Sequence, residues 1–267
     1  MSKSKGNVVT PLALLEEHGT DAVRYWAARG APGTDTAFDT GQMKIGRRLA
    51  IKLLNASKFA LSFGEADGAT AITSPLDQSM LTQLQTVVAD ATVAFEAYDY
   101  TRALDRAESF FWRFCDDYVE LVKGRAYGDA GDPSTQSAKV ALRLGLSVLQ
   151  RLFAPFLPFV TEEVWSWWQD GSVHRAPWPT VDELAVGGDP DVFSVAADVL
   201  GRVRKAKTEA KQSMRAEVAT AVVTAPADVL ALVRAAEADL RESGRIAELT
   251  FADGPELSVA VTLAVTD

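Results

Sequence analysis

The chain has very little of what a metal centre or a disulfide-stabilised fold requires. Cys115 is the single cysteine, and His18 and His174 are the only histidines among 267 residues. One thiol excludes an intramolecular disulfide, and together with two histidines it provides too few ligands for a zinc cluster. We therefore expect no metal site. The scarcity of cysteine is typical of proteins from a reducing compartment.

Long apolar runs are also missing. The longest, Leu152 to Val160, is interrupted by two prolines and is too short to cross a bilayer. No apolar signal core stands near residue 1. The sequence therefore predicts a cytoplasmic protein without membrane contact, and we expect a monomer. The composition, with 48% hydrophobic and 24% charged residues, is that of a globular chain long enough for more than one domain.

Excess positive charge is lacking overall, since the formal net charge is -9. Such a chain is repelled on average by a polyanion, which argues against indiscriminate coating of nucleic acid. Two segments depart from this average. Residues 202–215 contain six basic residues and one acidic residue, Glu209. Residues 41–63 contain no acidic residue and five basic ones, namely Lys44, Arg47, Arg48, Lys52 and Lys58.

Apolar periodicity and capping residues predict that the first two thirds of the chain are helical. Thr10 and Pro11 begin a helix that is broken at Gly19 and resumes at Thr20 or Asp21. Four long amphipathic helices with short connections then indicate a bundle. They are predicted at residues 42–63, 75–97, 101–123 and about 133–153, with a short helix starting at 161–163.

The pattern changes after about residue 188. A helix is predicted from Asp189 and Pro190 to about Ser213, and it carries a small unit of about fifty residues. In this unit strands are predicted at 217–224, 245–251 and 257–265, with a helix at 228–241. The predicted fold class is therefore mainly α, a helical bundle followed by a small α+β C-terminal unit on a helical stalk. So small a unit needs packing against something else to be stable.

The segment at 42–63 separates its apolar and basic residues on a helical wheel. At about 100° per residue the apolar stripe consists of Ile45, Leu49, Leu53, Ala56 and Ala60. All five basic residues fall within an arc of about 140° on the other side, which favours contact with a phosphate backbone. A merely solvated helix face is the alternative. Arg47 and Arg48 are also candidates for holding the bundle against a further domain.

The second basic segment has helical spacing too. Its residues Arg204, Lys207, Lys211 and Arg215 repeat at intervals of three, four and four, which predicts one narrow ridge. Such a ridge can follow the phosphates of RNA. Intramolecular docking of the ridge on the acidic bundle is the alternative, and the residues alone do not decide between the two.

The first residues, MSKSKGN, place lysines between serines. Lysine is a compact charge that suits phosphate, but the spacing is not that of a Walker loop. The stretch resembles the KMSKS loop of class I aminoacyl-tRNA synthetases. The segment GTDTAFDTGQMKIGRRLAIKLLNASKF is similar to the valyl-tRNA synthetases, where NASKF separates them from the isoleucyl and leucyl enzymes. FFWRFCDDYVELVKGRAY, LFAPFLPFVTEEVW and VRKAKTEAKQSMRAEV recur there in the same order.

This resemblance implies an ATP-dependent valine–tRNA ligase as the parent enzyme. Lys3 would contact the phosphates of Mg-bound ATP and stabilise the transition state of valine activation, with Ser2 and Ser4 shaping the loop. The motif's leading lysine and the family's nucleotide-binding fold would precede Met1. We therefore expect a C-terminal portion of such an enzyme, which is not catalytically competent alone, needs no cofactor of its own, and has the catalytic domain as a partner.

The resemblance also implies a division of labour along the chain. Residues 1–40 would be the KMSKS loop and connecting helices, 41–180 the anticodon-binding bundle, and 181–267 the stalk helix with the α+β domain. The predicted function is recognition of tRNA(Val). The alternatives are a free-standing, non-catalytic RNA-binding or protein-interaction module and the same region of an isoleucyl enzyme.

Anticodon recognition normally uses aromatic or guanidinium planes on which bases stack. The aromatic side chains of this chain stand mostly at helical spacing among apolar residues, so we expect most of them in the core. They are Tyr98, Tyr100, Trp112, Tyr118, Trp165, Trp167, Trp168 and Trp178. Tyr127, beside Arg125 in a glycine-rich segment, is the one expected outside it.

Overall fold

A computed structural model describes residues 11–35, 37–64 and 71–264. These residues fold mainly into helices, as the sequence predicts. The α-helices are α1 Pro11–His18, α2 Thr20–Ala28, α3 Thr40–Leu61, α4 Pro75–Glu96, α5 Tyr100–Arg113, α6 Val119–Ala126, α7 Pro133–Phe153, α8 Pro158–Trp165, α9 Asp191–Glu209, α10 Ala227–Ala235 and α11 Glu237–Gly244. The strands are β1 Val218–Ala225, β2 Ile246–Asp253 and β3 Ser258–Leu263.

The chain forms two compact units whose segments alternate along the sequence. The first unit takes its described residues from 1–62, 87–109 and 146–180, and the second from 63–86, 110–145 and 181–267. The division into domains at residues 40 and 180 stays a prediction.

In the first unit, α2 and α3 approach each other closely at a glycine. A Cβ atom added to Gly46 would lie 2.6 Å from the Cβ of Tyr25, so only glycine fits this crossing. The Tyr25 hydroxyl passes beside it and donates a hydrogen bond of 2.8 Å to Glu108. Burial, followed by the bond to Glu108, raises the pKa of this phenol far above its usual range. The contact fixes which side of α3 is turned inward.

The first unit also explains how α8 begins after two prolines. The carboxylate of Asp21, on α2, accepts hydrogen bonds from the backbone N–H groups of Phe159 at 3.1 Å and Val160 at 2.8 Å. These N–H groups belong to the first turn of α8 and have no partner inside the helix. Asp21 therefore caps α8 from a distant part of the sequence. The predicted start of this helix at 161–163 is three residues late, since Pro158 occupies its first position.

In the second unit, a three-stranded sheet has the order β2-β1-β3. β1 pairs with β2 in parallel and with β3 in antiparallel orientation, and α10 and α11 connect the parallel pair. Val218, Ala221, Val223 and Ala225 of β1 are buried. The predicted helix at 228–241 is divided at Ala236 into α10 and α11, because that residue leaves the helical conformation with a φ of -118°.

A buried ionic network holds the second unit together. Arg125 donates to both carboxylate oxygens of Asp77 at 2.8 Å and to Asp239 at 2.9 Å. Tyr118 and Ser137 donate to Asp77 as well, at 2.8 and 2.7 Å. Burial works to lower the pKa of Arg125, but the hydrogen bonds and charges of the two aspartates outweigh it and raise the pKa. The guanidinium thereby ties α4 and α6 to α11.

Two helix ends differ from the sequence prediction. Gly124, expected to end the helix over 101–123, lies within α6, where an added Cβ would clash with the carboxylate of Glu242. Gly124 is therefore not a C-terminal stop, since α6 continues through it to Ala126, and an added Cβ would require the Glu242 side chain to move aside. Between α5 and α6 the residues Phe114–Tyr118 form a single π-helical turn. Helix α9 ends at Glu209, four residues before the predicted end.

Candidate nucleic-acid interface

The residues assigned to ATP in the opening loop, Ser2, Lys3 and Ser4, lie outside the described residues. Their roles stay predictions. The candidate interface is therefore built from the two basic segments at 41–63 and 202–215.

Helix α3 is oriented by a buried seam of small and apolar residues. Its members are Met43, Gly46, Leu49, Leu53, Ser57 and Ala60. Leu49, Leu53 and Ala60 were predicted to lie on the apolar stripe, and this is confirmed. Ile45 was predicted there too but is 38% exposed, and Ala56 is only half-buried. The buried seam is centred on the side of α3 that carries Gly46, because only glycine allows the close contact with Tyr25. A helical wheel drawn from hydrophobicity alone does not show this.

The opposite side of α3 carries the five basic residues predicted there, which we call the α3 basic face. Lys44, Arg48 and Lys58 are exposed and form no ion pair or hydrogen bond with any part of the chain that the structure describes. Ile51, 51% exposed, and Asn55 lie between these cations on the helix. Three unneutralised charges on one helix side make a local surface that attracts anions despite the negative net charge.

The other two members of the α3 basic face have partners. Arg47 donates a 2.9 Å hydrogen bond to the backbone carbonyl of Glu17, in the last turn of α1, where helix carbonyls lack intrahelical donors. Its side chain is nevertheless exposed and its charge is not paired with a carboxylate by this bond. Lys52 is half-buried and interacts with another group of the chain. Arg47 thus serves the fold and adds to the positive field.

In the second basic segment, Arg204 is engaged within the second unit. Its guanidinium donates to the backbone carbonyl of Asp116 at 2.9 Å and lies 3.5 Å from the carboxylate of Asp117. Asp116 lies in the π-helical turn, where hydrogen bonds join residue i to residue i+5. Burial raises the pKa of Asp117, and the charge of Arg204 opposes this shift. For Arg204 this geometry agrees with the second of the two hypotheses for the ridge, in which its side chains dock on acidic residues of the same chain.

Lys207 is buried, with 2% of the residue exposed. Its ammonium group donates to the carbonyls of Gly244 at 2.9 Å and Met214 at 3.2 Å. Gly244 is the last residue of α11, so the cation satisfies a carbonyl at the negative end of a helix dipole. Burial lowers the pKa of Lys207, and the charges of Arg245 and Arg204 lower it further. The side chain faces the interior of the unit and not bulk solvent.

Lys211 and Arg215 do not continue the helical ridge. They lie beyond the end of α9, and Lys211 has a left-handed φ of 55°. Both side chains are exposed and form no ion pair within the described residues. The spacing of three, four and four therefore describes the sequence but not a continuous surface, because the chain turns out of the helix between the second and third residues.

The aromatic side chains pack only partly as expected, because Tyr118 and Trp165 are buried whereas Tyr100, Trp112, Trp168 and Trp178 are half-buried. Tyr118 is fully buried, and Trp178 donates to Thr92 while its ring meets Phe95 edge-on at 5.0 Å. Tyr127 lies outside the core with 66% exposure, packed against Phe63, as predicted. Tyr98 and Trp167 are exposed instead, Tyr98 to 85% at a φ of 59° and Trp167 to 41%.

Sequence reasoning missed the network of Asp77, Arg125 and Asp239. Its members are 48 and 114 residues apart, so no local spacing connects them. Within the ranges 11–35, 37–64 and 71–264, no group of acidic residues, histidine and cysteine has the arrangement of a metal site. Of the helices in the described ranges, none has the length and apolarity needed to span a membrane.

Comparison with protein families identifies this helical region. Residues 77–223 match the anticodon-binding domain of tRNA ligases, and residues 1–39 match class I tRNA synthetases for isoleucine, leucine, methionine and valine. The first match covers more than half of the chain, which therefore belongs to the family of tRNA-ligase anticodon-binding domains. Helix α3 lies between the two matched ranges.

Curated relatives make the likeness more specific. The chain is 60% identical to a valine–tRNA ligase of Thermobifida fusca, over 99% of this chain and 30% of that protein. It is 55% identical to the valine–tRNA ligase of Salinispora tropica and 56% identical to that of Leifsonia xyli, covering 32% and 31% of those proteins. The resemblance read from NASKF is thereby confirmed. The chain spans about a third of the length of these relatives.

A solved structure is similar in fold. It is the ternary complex of Agrobacterium radiobacter K84 agnB2 LeuRS, tRNA and LeuAMS, with a TM-score of 0.52 and 23% sequence identity. The match covers 70% of this chain and 23% of that one. At this identity it supports the fold class and nothing finer.

Proposed function

We propose that this chain is the tRNA-recognition portion of a valine–tRNA ligase and that the α3 basic face binds the phosphate backbone of tRNA(Val). The observation that carries the proposal is the exposure of Lys44, Arg48 and Lys58 without any carboxylate partner in the described structure. Lysine and arginine that are not already neutralised displace the counterions bound to the phosphates of RNA, and the release of these counterions drives binding. Similarity to valine–tRNA ligases supplies the choice of tRNA.

The parent enzyme would activate valine with Mg-bound ATP and esterify it to tRNA(Val) in the cytoplasm, as a monomer. In it, Lys3 would face the ATP phosphates, with Ser2 and Ser4 beside it. We expect the chain alone to form no valyl-adenylate, since it spans about a third of its relatives. Detection of valyl-adenylate with the purified chain would contradict this expectation.

Exposed cations without partners have a defined binding signature. A protein that contacts phosphates through such cations loses affinity as salt rises, with a slope of about 0.9 per contact in a log–log plot. Replacing Lys44, Arg48 and Lys58 together with alanine should therefore reduce the slope for a tRNA(Val) transcript by about 2 to 3. Titration by fluorescence anisotropy between about 50 and 200 mM salt measures it.

The matched control removes three cations that are already paired. Arg106, Arg202 and Lys205 lie 3.5, 3.1 and 3.8 Å from Asp90, Asp198 and Glu209. Their replacement with alanine changes the net charge equally, so an equal loss of slope in both triple variants would contradict a specific role of α3. A second comparison uses a transcript with an exchanged anticodon. Equal affinity for both transcripts would mean that the chain binds tRNA by nonspecific electrostatic attraction and does not recognise the anticodon.

A further inference from the structure

The second unit contains a cavity of about 480 Å³ lined by residues of α6, α9, the turn after α9 and the end of α11. This volume lies in the range of small-molecule sites, which is about 300 to 1,000 Å³. Five of the thirteen lining residues are basic and two, Glu120 and Glu242, are acidic. The basic ones are Lys123, Arg204, Lys207, Arg215 and Arg245.

The charges of this cavity do not cancel. Glu120 lies 2.6 Å from Lys123 and 4.0 Å from Arg204, and Arg204 also lies 3.5 Å from Asp117. Glu242 offsets one further positive charge of the lining, although it forms no ion pair among the described residues. Arg245 is paired at 3.2 Å with Glu217, which is exposed and does not line the cavity. Lys207 and Arg215 have no carboxylate partner among the described residues. The cavity therefore has an excess of positive charge at the edge formed by Lys207, Arg215 and Arg245.

Lys207 stands out because it is a buried cation without a counter-ion in the described part of the chain. An ammonium group has three hydrogens, and the carbonyls of Gly244 and Met214 account for two. Burial lowers its pKa, and the charges of Arg245 and Arg204 add to the effect. Its role at the end of α11 explains the position of Lys207. It does not explain why further cations surround the same space.

We propose that this cavity binds a phosphate-bearing anion, held between Lys207, Arg215 and Arg245. Phosphate oxygens accept several hydrogen bonds, and their negative charge would neutralise the excess positive charge of the cavity. A neighbouring cavity of about 370 Å³ is lined by Arg215, Arg245 and Glu217, so there is space on both sides of these arginines, and on the second side Glu217 is paired with Arg245. The phosphate comes either from a small free polyphosphate or from an RNA backbone. The proposal does not depend on the function proposed for α3.

The test is isothermal titration of the full chain with inorganic pyrophosphate at low ionic strength. Arg215 is exposed in a turn outside the helices and strands, so Arg215→Glu should fold, which thermal unfolding verifies. It should weaken binding at least about tenfold, because a repulsive charge replaces an attractive one at the site. Lys205→Glu is the matched control, because it makes the same charge change at a side chain that is 75% exposed and lies outside the cavity. It should alter the affinity by less than about twofold.

Absence of saturable pyrophosphate binding by the unaltered chain would overturn the proposal, as would equal weakening by the two substitutions. Binding should persist in the variant lacking Lys44, Arg48 and Lys58, and its loss there would place the anion on α3 instead. Competition identifies the source of the phosphate. Displacement of pyrophosphate by a short single-stranded RNA supports a backbone phosphate, and undisturbed binding supports a small free anion.

Discussion

Helix α3 and the second unit both carry prominent clusters of basic residues, but their side chains have different surroundings. Lys44, Arg48 and Lys58 on α3 face solvent without partners among the described residues, whereas Arg125 and Lys207 in the second unit are largely buried and hydrogen-bonded. The difference teaches that cation density in a sequence does not distinguish solvent-exposed cations from cations that support the fold. What distinguishes them is the presence of acceptors, which come from distant parts of the chain.

The comparison predicts that removing a partner of a buried cation costs far more stability than removing a partner of an exposed one. Asp77→Ala should lower the free energy of unfolding by about 3 to 5 kcal/mol, because it leaves the largely buried Arg125 with Asp239 as its remaining carboxylate. Chemical denaturation followed by circular dichroism measures the change. Asp198→Ala, which removes the half-exposed partner of Arg202, should cost less than about 1 kcal/mol. Equal losses of unfolding free energy in Asp77→Ala and Asp198→Ala would contradict the predicted difference between buried and exposed ion pairs.

The same contrast applies to two lysines. Lys207→Met removes the donor of two buried carbonyls and should destabilise the protein by about 1 to 3 kcal/mol. Lys44→Met, on the exposed α3 basic face, should change stability by less than about 0.5 kcal/mol but reduce the salt slope of tRNA binding by about 1. Denaturation and anisotropy titrations together provide both readouts. An unchanged free energy of unfolding in Lys207→Met would contradict a stabilising role of the buried ammonium group.

The orientation of the α3 basic face can be tested through its buried side. Gly46→Ala places a methyl group 2.6 Å from the Cβ of Tyr25 and should cost about 1 to 3 kcal/mol through displacement of α2 or α3. Gly201→Ala in α9 is the matched control, since no atom lies within 4 Å of the added methyl group. Because alanine favours helix more than glycine does, this control should stabilise the protein by up to about 1 kcal/mol. Equal stability of both variants would contradict the close crossing.

Local chemistry explains what the sequence predicts well. Prolines at helix starts and 3.6-residue periodicity located most helices, and alternation with β-branched residues located the three strands. The failures have nonlocal causes. Ile45 is exposed because its neighbour Gly46 is the residue of α3 that meets Tyr25. Lys207 is buried because it meets carbonyls of a turn and of α11, which lie 7 and 37 residues away in sequence.

Tyr118 provides the last and smallest contrast, since its phenol is buried against the network that holds Arg125. Burial and the charge of Asp77 raise its pKa well above the ordinary value of about 10. Above about pH 10 the unfolded chain releases this proton while the folded chain keeps it, so stability falls by up to about 1.4 kcal/mol per pH unit. Tyr118→Phe should be less stable at neutral pH, because a 2.8 Å hydrogen bond to Asp77 is lost, but should lack the part of this dependence that Tyr118 contributes. Tyr25, whose pKa is also raised, contributes equally in both proteins. The unfolding free energies of the two proteins should therefore converge as the pH rises above about 10. A constant difference across that range would mean that the phenol ionises as readily inside the protein as outside.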